Sequence, residues 1–257
     1  MAVGLKREAG VRAVLVAVVL VACVVGAFGQ DPLKVAPEAY RLQFENEWVK
    51  VTRVHYGARA RVPLHEHTRW PAAYVYLNDS GPIIFRHAGW EHPVLMRPAT
   101  KAGSFRLSPT TAVGETHEVE NPTDTPSDFL RVEFKTRAVN RNSLRGRFYR
   151  GRYATGRNFR KVEFEHEQIR VTRLVCVPRR GLAVATPSSE PALLIALSHA
   201  RVKSVAAGGE TEETTLEPGQ QIWLTGGERR RLENLGDAPL ELLRFDFRTG
   251  PASAAGR

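Results

Sequence analysis

The chain of 257 residues is 42% apolar, enough core for two small domains or one large one, which excludes disorder as its overall state. Basic residues outnumber acidic ones 37 to 27, for a formal net charge of +10, and two cysteines are too few for a disulfide framework.

The N-terminus separates from the rest. Lys6, Arg7 and Arg12 precede an uncharged run, residues 13–28, built almost wholly of Ala, Val, Leu and Gly. The run is shorter than the roughly 20 residues of a spanning helix, and small residues at Ala27 and Gly29 offer a cleavage site before Gln30. Residues 1–29 therefore read as a signal peptide, and the mature protein is expected to be periplasmic or secreted. Leu20-Val21-Ala22-Cys23 also resembles a lipobox, which would leave Cys23 lipidated, and an uncleaved anchor is a third reading. A membrane is a partner only in those two cases. Without the signal, Cys176 is the remaining cysteine, and its place between Val175 and Val177 reads as a small buried apolar residue. The signal carries three bases less Glu8, so the mature surface stays basic. Behind an export signal nucleic acid is not expected, whereas an anionic envelope polymer or a carboxylated small molecule is.

Downstream, short alternating runs follow one another: VKVTRVHY from 49, AAYVYLN from 72, FRLS from 105 and FLRVEFK from 129. After an Arg-, Gly- and Tyr-rich stretch, IRVTRLVCV from 169, ALLIALSHARV from 192, QQIWLT from 220 and LELLRFDF from 240 repeat the style. Period two over four to nine residues predicts strands, and no run carries a helical stripe. The chain also repeats itself. FENEWVKVTRV at 44–54 recurs as FEHEQIRVTRL at 164–174, and FLRVEFK at 129–135 recurs as LLRFDFR at 242–248. A duplication follows, with units at 40–137 and 159–249 joined by a linker at 138–158, each an all-β sandwich or barrel. Arg53 and Arg173 hold equivalent places, which predicts a role in the fold common to both units.

Pro63-Leu64-His65-Glu66-His67 puts two imidazoles on one face of a strand, with Glu66 turned away. His117, fifty residues on, completes a facial set able to hold a divalent transition metal. These residues resemble the two motifs of the cupin superfamily. Its first motif is a glycine, His-x-His and a glutamate four or five residues on; its second is Gly-x5-Pro-x-Gly-x2-His-x3-Asn. Gly103-x5-Pro109 and Gly114-x2-His117-x3-Asn121 match both halves of the second, with three extra residues between them. Gly219-x5-Thr225-x-Gly227-x2-Arg230-x3-Asn234 keeps the spacing in the second copy without insertion.

The resemblance implies two tandem cupin-type, jelly-roll-like β-barrels, a bicupin whose second barrel is degenerate. There His117 is replaced by Arg230, and His65 and His67 align with Ala185 and Pro187. The first motif departs from the pattern: its glutamate would fall at Pro71 or Ala72, and its glycine position holds Arg59, with Gly57 two residues early. The implied site is then His65, His67 and His117 with Fe, Mn, Zn or Ni, as some oxygen-activating cupins use three histidines. Three neutral imidazoles leave the ion's charge uncompensated and favour an anionic or enolisable ligand, as in a metal-dependent dioxygenase. The other reading is a metal-free, non-catalytic module for a sugar or organic acid. Metal held by ordinary histidines should be lost below about pH 6. Tyr74 and Tyr76 share the face of Ala72 and are expected to line the cavity or fill the core, with Trp70 at the rim or in the core. Asn121 either supports His117 from behind or caps a turn. His55, His87, His92, His166 and His199 have no motif context.

Overall fold

The computed structural model describes residues 30–109, 115–152 and 156–252. The expected signal peptide with Cys23, and Gly114 of the second motif, lie outside the described residues. A short helix α1 (Pro32–Val35), capped by Asp31 Oδ1 on Leu33 N–H at 3.0 Å, leads into the first unit.

That unit contains β1 (Tyr40–Glu45), β2 (Val49–Tyr56), β3 (Arg61–His67), β4 (Ala72–Tyr76), β5 (Ile83–His87), β6 (Val94–Arg97), β7 (Phe105–Ser108), β8 (Glu115–Glu120), β9 (Ser127–Phe134) and β10 (Gly146–Phe148). The second contains β11 (Phe159–Glu165), β12 (Ile169–Cys176), β13 (Gly181–Ala185), β14 (Ala192–Ala196), β15 (Ala200–Ala206), β16 (Thr211–Leu216), β17 (Gln221–Leu224), β18 (Arg229–Asn234) and β19 (Leu240–Phe247).

Each unit packs one sheet on another. In the first, β1-β2-β9-β4-β7-β10 faces β3-β8-β5-β6; in the second, β11-β12-β19-β14-β17 faces β13-β18-β15-β16. The two larger sheets then bury their outer faces against each other, because one cluster joins Val51, Val132 and Phe134 of the first unit to Val171, Leu193 and Phe245 of the second. Sheets covered on both faces lose the apolar-polar alternation. For that reason β14 reads ALLIA and is buried throughout.

The interiors of the units differ. The second is filled by Leu174, Cys176, Leu194, Leu224, Leu232 and Leu242 among others, so Cys176 is the buried apolar residue expected. The first holds fewer aliphatic groups, chiefly Val54, Val62, Ile83 and Val119 around Tyr40, Tyr56, Tyr76 and Phe129. It leaves room for polar groups.

Two features of the repeat keep equivalent partners in each copy. Asn121 Nδ2 donates to Gly57 O at 2.8 Å and Thr125 O at 3.0 Å, and Asn234 Nδ2 donates to Cys176 O at 3.0 Å and Ala238 O at 2.8 Å. Arg53 forks onto Asp128, while Arg173 binds Glu241 at 2.6 Å and reaches across the units to Gly103 O at 2.8 Å. Gly103 and Gly219 hold left-handed backbones at φ 76° and 94°, which glycine alone adopts without strain.

The linker packs its aromatics on the barrels. Its segment β10 pairs with β7, Phe148 stacks on Phe105 at 4.5 Å, and Arg150 bonds Glu241 of the second unit at 2.7 Å. Aromatics packed on the barrels, rather than a helical or strand period, give it order.

Candidate metal centre

The site is built on the inner face of the sheet β3-β8-β5-β6. Register sets His65 opposite His117, His67 opposite Glu115 and His87 opposite His117. Side chains opposite one another share a face. His65, His67 and His117 are 0%, 8% and 2% exposed, and a ligand nitrogen from each lies within 4.8 Å of the other two.

Hydrogen bonding selects the unprotonated nitrogen of His65. His65 Nδ1 donates to Pro63 O at 2.8 Å, so its Nε2 is left as the acceptor, and Tyr40 Oη donates to it at 2.9 Å. Tyr40 is itself bonded to Tyr56 Oη at 2.7 Å, and burial holds both hydroxyls protonated. His65 Nε2 and His67 Nε2 stand 3.2 Å apart. Two ligands about 2.1 Å from one ion lie roughly 3.0 to 3.4 Å apart, so this spacing fits a shared metal. His117 Nε2 is buried with no partner, whereas Nδ1 has Glu115 Oε1 at 3.3 Å. Such an orphan costs free energy unless a bound group satisfies it.

All three rings are held neutral, the form that binds metal. Burial, then the charge of His117, pushes His65 down to about 4. Burial and Arg131 hold His67 well below the usual range. Burial also lowers His117, against the opposing pull of Glu115.

A cavity of 160 Å³ opens onto the centre, lined by His67, Glu115, His117, Trp90, Arg106 and Arg131, with further apolar groups from Phe85, Leu95 and Phe129. Four arginines (97, 106, 131 and 147) and a single carboxylate, Glu115, line it, so its field is positive. Arg106 Nε is buried without a partner, and its guanidinium lies 4.4 Å from the Tyr74 ring centre. Arg131 bonds Tyr74 Oη at 3.1 Å and Glu133 at 3.3 Å. A second hollow of 270 Å³ reaches His67 from the other side, past Tyr40, Lys50, Thr68 and Glu133. It touches one histidine of the three, so the smaller cavity is the better ligand site.

Of the expected cavity residues, Tyr74 lines this space, whereas Tyr76 packs on Phe129 in the core and borders a different hollow with Arg97. Asn121 makes no hydrogen bond to a histidine; its partners are turn carbonyls, Thr123 N–H and Thr123 Oγ1. These are the bonds of a turn. His87 and Glu115, which sequence reasoning left aside, both belong to the site: His87 Nε2 bonds Glu115 Oε1 at 3.1 Å, and Glu115 Oε1 lies 3.3 Å from His117 Nδ1. Strand parity would have found Glu115, two residues before His117. Nothing in the sequence marks His87 or Arg131.

The second unit lacks the centre. Arg230 stands opposite Val184, and Thr186 receives the N–H of Glu228, so the counterparts of His65 and His67 are Val184 and Thr186 rather than Ala185 and Pro187. The shift of one residue arises from a bulge in β3 between Val62 and His65 that β13 does not have. Arg230 bonds Glu228 at 2.9 Å and Ser204 at 3.0 Å, and no metal-ligand cluster occurs there among the described residues.

No protein-family model matches the chain, and no curated protein matches its sequence. Solved structures match its fold. It is similar to a cupin 2 conserved barrel domain protein from Leptotrichia buccalis (11% identity, 81% of this chain and 88% of that one, TM-score 0.51). It is also similar to a salicylate 1,2-dioxygenase from Pseudaminobacter salicylatoxidans (13%, 81% and 76%, TM-score 0.52). A third match is the Bacillus subtilis oxalate decarboxylase described for its Mn(II) centres (12%, 84% and 77%, TM-score 0.50). The fold is all-β, two tandem cupin-type barrels.

Proposed function

We propose that the protein binds one divalent transition metal in its first barrel, through Nε2 of His65, His67 and His117, and receives a small anionic ligand beside it. The observation that carries this reading is the convergence of three buried neutral imidazoles, one with its Nε2 buried and unpartnered, beside an arginine-lined cavity that His67 and His117 line. The likeness to a dioxygenase and a manganese-containing decarboxylase supports an enzymatic role at the level of fold.

A bound ion would act there as a Lewis acid toward a chelating oxygen of the ligand. The chain does the rest. Arg106 offers an unpaired buried N–H to a carboxylate, and Arg131, anchored by Tyr74 and Glu133, keeps a second positive charge against it. Trp90, Phe85 and Leu95 exclude water from one wall. The second barrel, with its filled interior, serves as the scaffold against which the first is held. Residues 1–29 direct export, and the mature chain begins near Gln30.

Titration of the metal-loaded protein with small hydroxy acids and with uncharged amide analogues, read by calorimetry, tests the ligand class. The carboxylates bind, the amides do not, and Arg106→Gln weakens the carboxylates. Equal binding of acids and amides would refute the anionic class.

A further inference from the structure

A three-histidine centre leaves a divalent charge without a local anion, and the position where the first motif's glutamate would fall is filled by Ala72, which is buried and carries no ligand atom. The neighbouring strand supplies a carboxylate instead. Glu115 lies on β8 two residues before His117, hence on the same face, opposite His67. Its Oε1 stands 3.3 Å from His117 Nδ1 and accepts from His87 Nε2 at 3.1 Å. His87 is in turn pinned, its ring stacked on Trp90 at 3.8 Å and 14°.

Building on the metal reading above, we propose that Glu115 is a positioning residue for the ligand His117: its carboxylate receives the Nδ1 proton, keeps Nε2 free for the ion and provides the negative charge that the first motif lacks. Oε1 lies 3.3 Å from Nδ1, so in this proposal Glu115 acts through the ring while Nε2 serves the ion. A carboxylate behind a ligating imidazole fixes the tautomer and raises the basicity of the ligand. The second barrel carries an independent trace of the same arrangement. Glu228 stands at the equivalent place two residues before Arg230 and bonds its Nε at 3.2 Å and its Nη2 at 2.9 Å. The carboxylate has stayed where the imidazole has gone, as expected if its task is to hold the group two residues on.

The test uses the full chain, purified without a His tag, with zinc(II) as the probe and chelator competition as the readout. Glu115→Gln keeps the shape of the side chain and removes its charge. It is expected to weaken zinc binding roughly 10- to 100-fold, while Glu118→Gln, on the exposed outer face of the same strand, leaves it unchanged. Nitrogen-15 NMR of the zinc-free protein gives a readout that a merely structural role would not move. His117 is expected in the Nδ1–H tautomer in the wild type and in a mixture of tautomers in Glu115→Gln. Should Glu115→Gln not fold, His87→Ala loosens the same carboxylate and is expected to weaken zinc in the same sense. Unchanged affinity together with an unchanged tautomer would overturn the role of Glu115 and leave the three-histidine site standing. A wild type that takes up no zinc would overturn both.

Discussion

His65 and His67 bring their Nε2 atoms to 3.2 Å on one face of a strand, and Pro63 O, by accepting from His65 Nδ1, leaves the lone pair on Nε2. The pair is buried and neutral, and that makes the metal-free protein sensitive to acid. His65 titrates near 4 in the folded chain, chiefly through burial, against roughly 6.5 when unfolded. Between those values the unfolded state takes up a proton that the native state refuses, so stability is lost as pH falls through the window. The loss is on the order of 3 kcal/mol for His65 alone. Urea unfolding of metal-free protein between about pH 7 and about pH 4 reads it. A flat profile would contradict the burial of a neutral ring.

The same depression moves the metal's acid limit. Loss below about pH 6, expected of ordinary histidines, should shift toward lower pH, because His65 resists protonation until about 4. Metal retained after dialysis at stepwise lower pH measures this.

Arg131 and Glu133 are a buried ion pair, 5% and 3% exposed. Arg131→Met strands the carboxylate, whose other partner is Thr68 Oγ1, and is expected to cost roughly 3 to 5 kcal/mol in urea unfolding. Adding Glu133→Leu should restore most of that stability while anion binding stays lost. Recovery of binding along with stability would remove Arg131 from the ligand site.

Asn121→Ala removes the turn bonds to Gly57 and Thr125 and should cost roughly 1 to 3 kcal/mol without changing metal stoichiometry. A drop in bound metal from a folded Asn121→Ala protein would restore the supporting role that the structure does not show.

Much of the architecture was legible because the evidence for it is local. The repeated VTR strands, the turn asparagines and the His-x-His pair each show in a few consecutive residues. What was not legible depends on how sheets close. His87, Arg131 and Tyr40 come from three further strands whose approach to His65 and His117 is decided by register and face, and no short motif encodes it. The mistaken counterparts Ala185 and Pro187 have the same origin, since a one-residue bulge in β3 is invisible to spacing. The Arg-rich linker shows no apolar period because β10 is three residues long and its order derives from Phe105 and Phe164.

Metal content of the protein purified without a His tag, compared between wild type and His117→Ala, tests the central claim most directly. The account predicts a single divalent ion per chain in the wild type, its loss in a folded His117→Ala protein, and its retention in Arg230→Ala, which lies in the barrel without a centre. A wild type that stays empty at neutral pH with iron, manganese, zinc and nickel supplied, or a His117→Ala protein as full as the wild type, would contradict it.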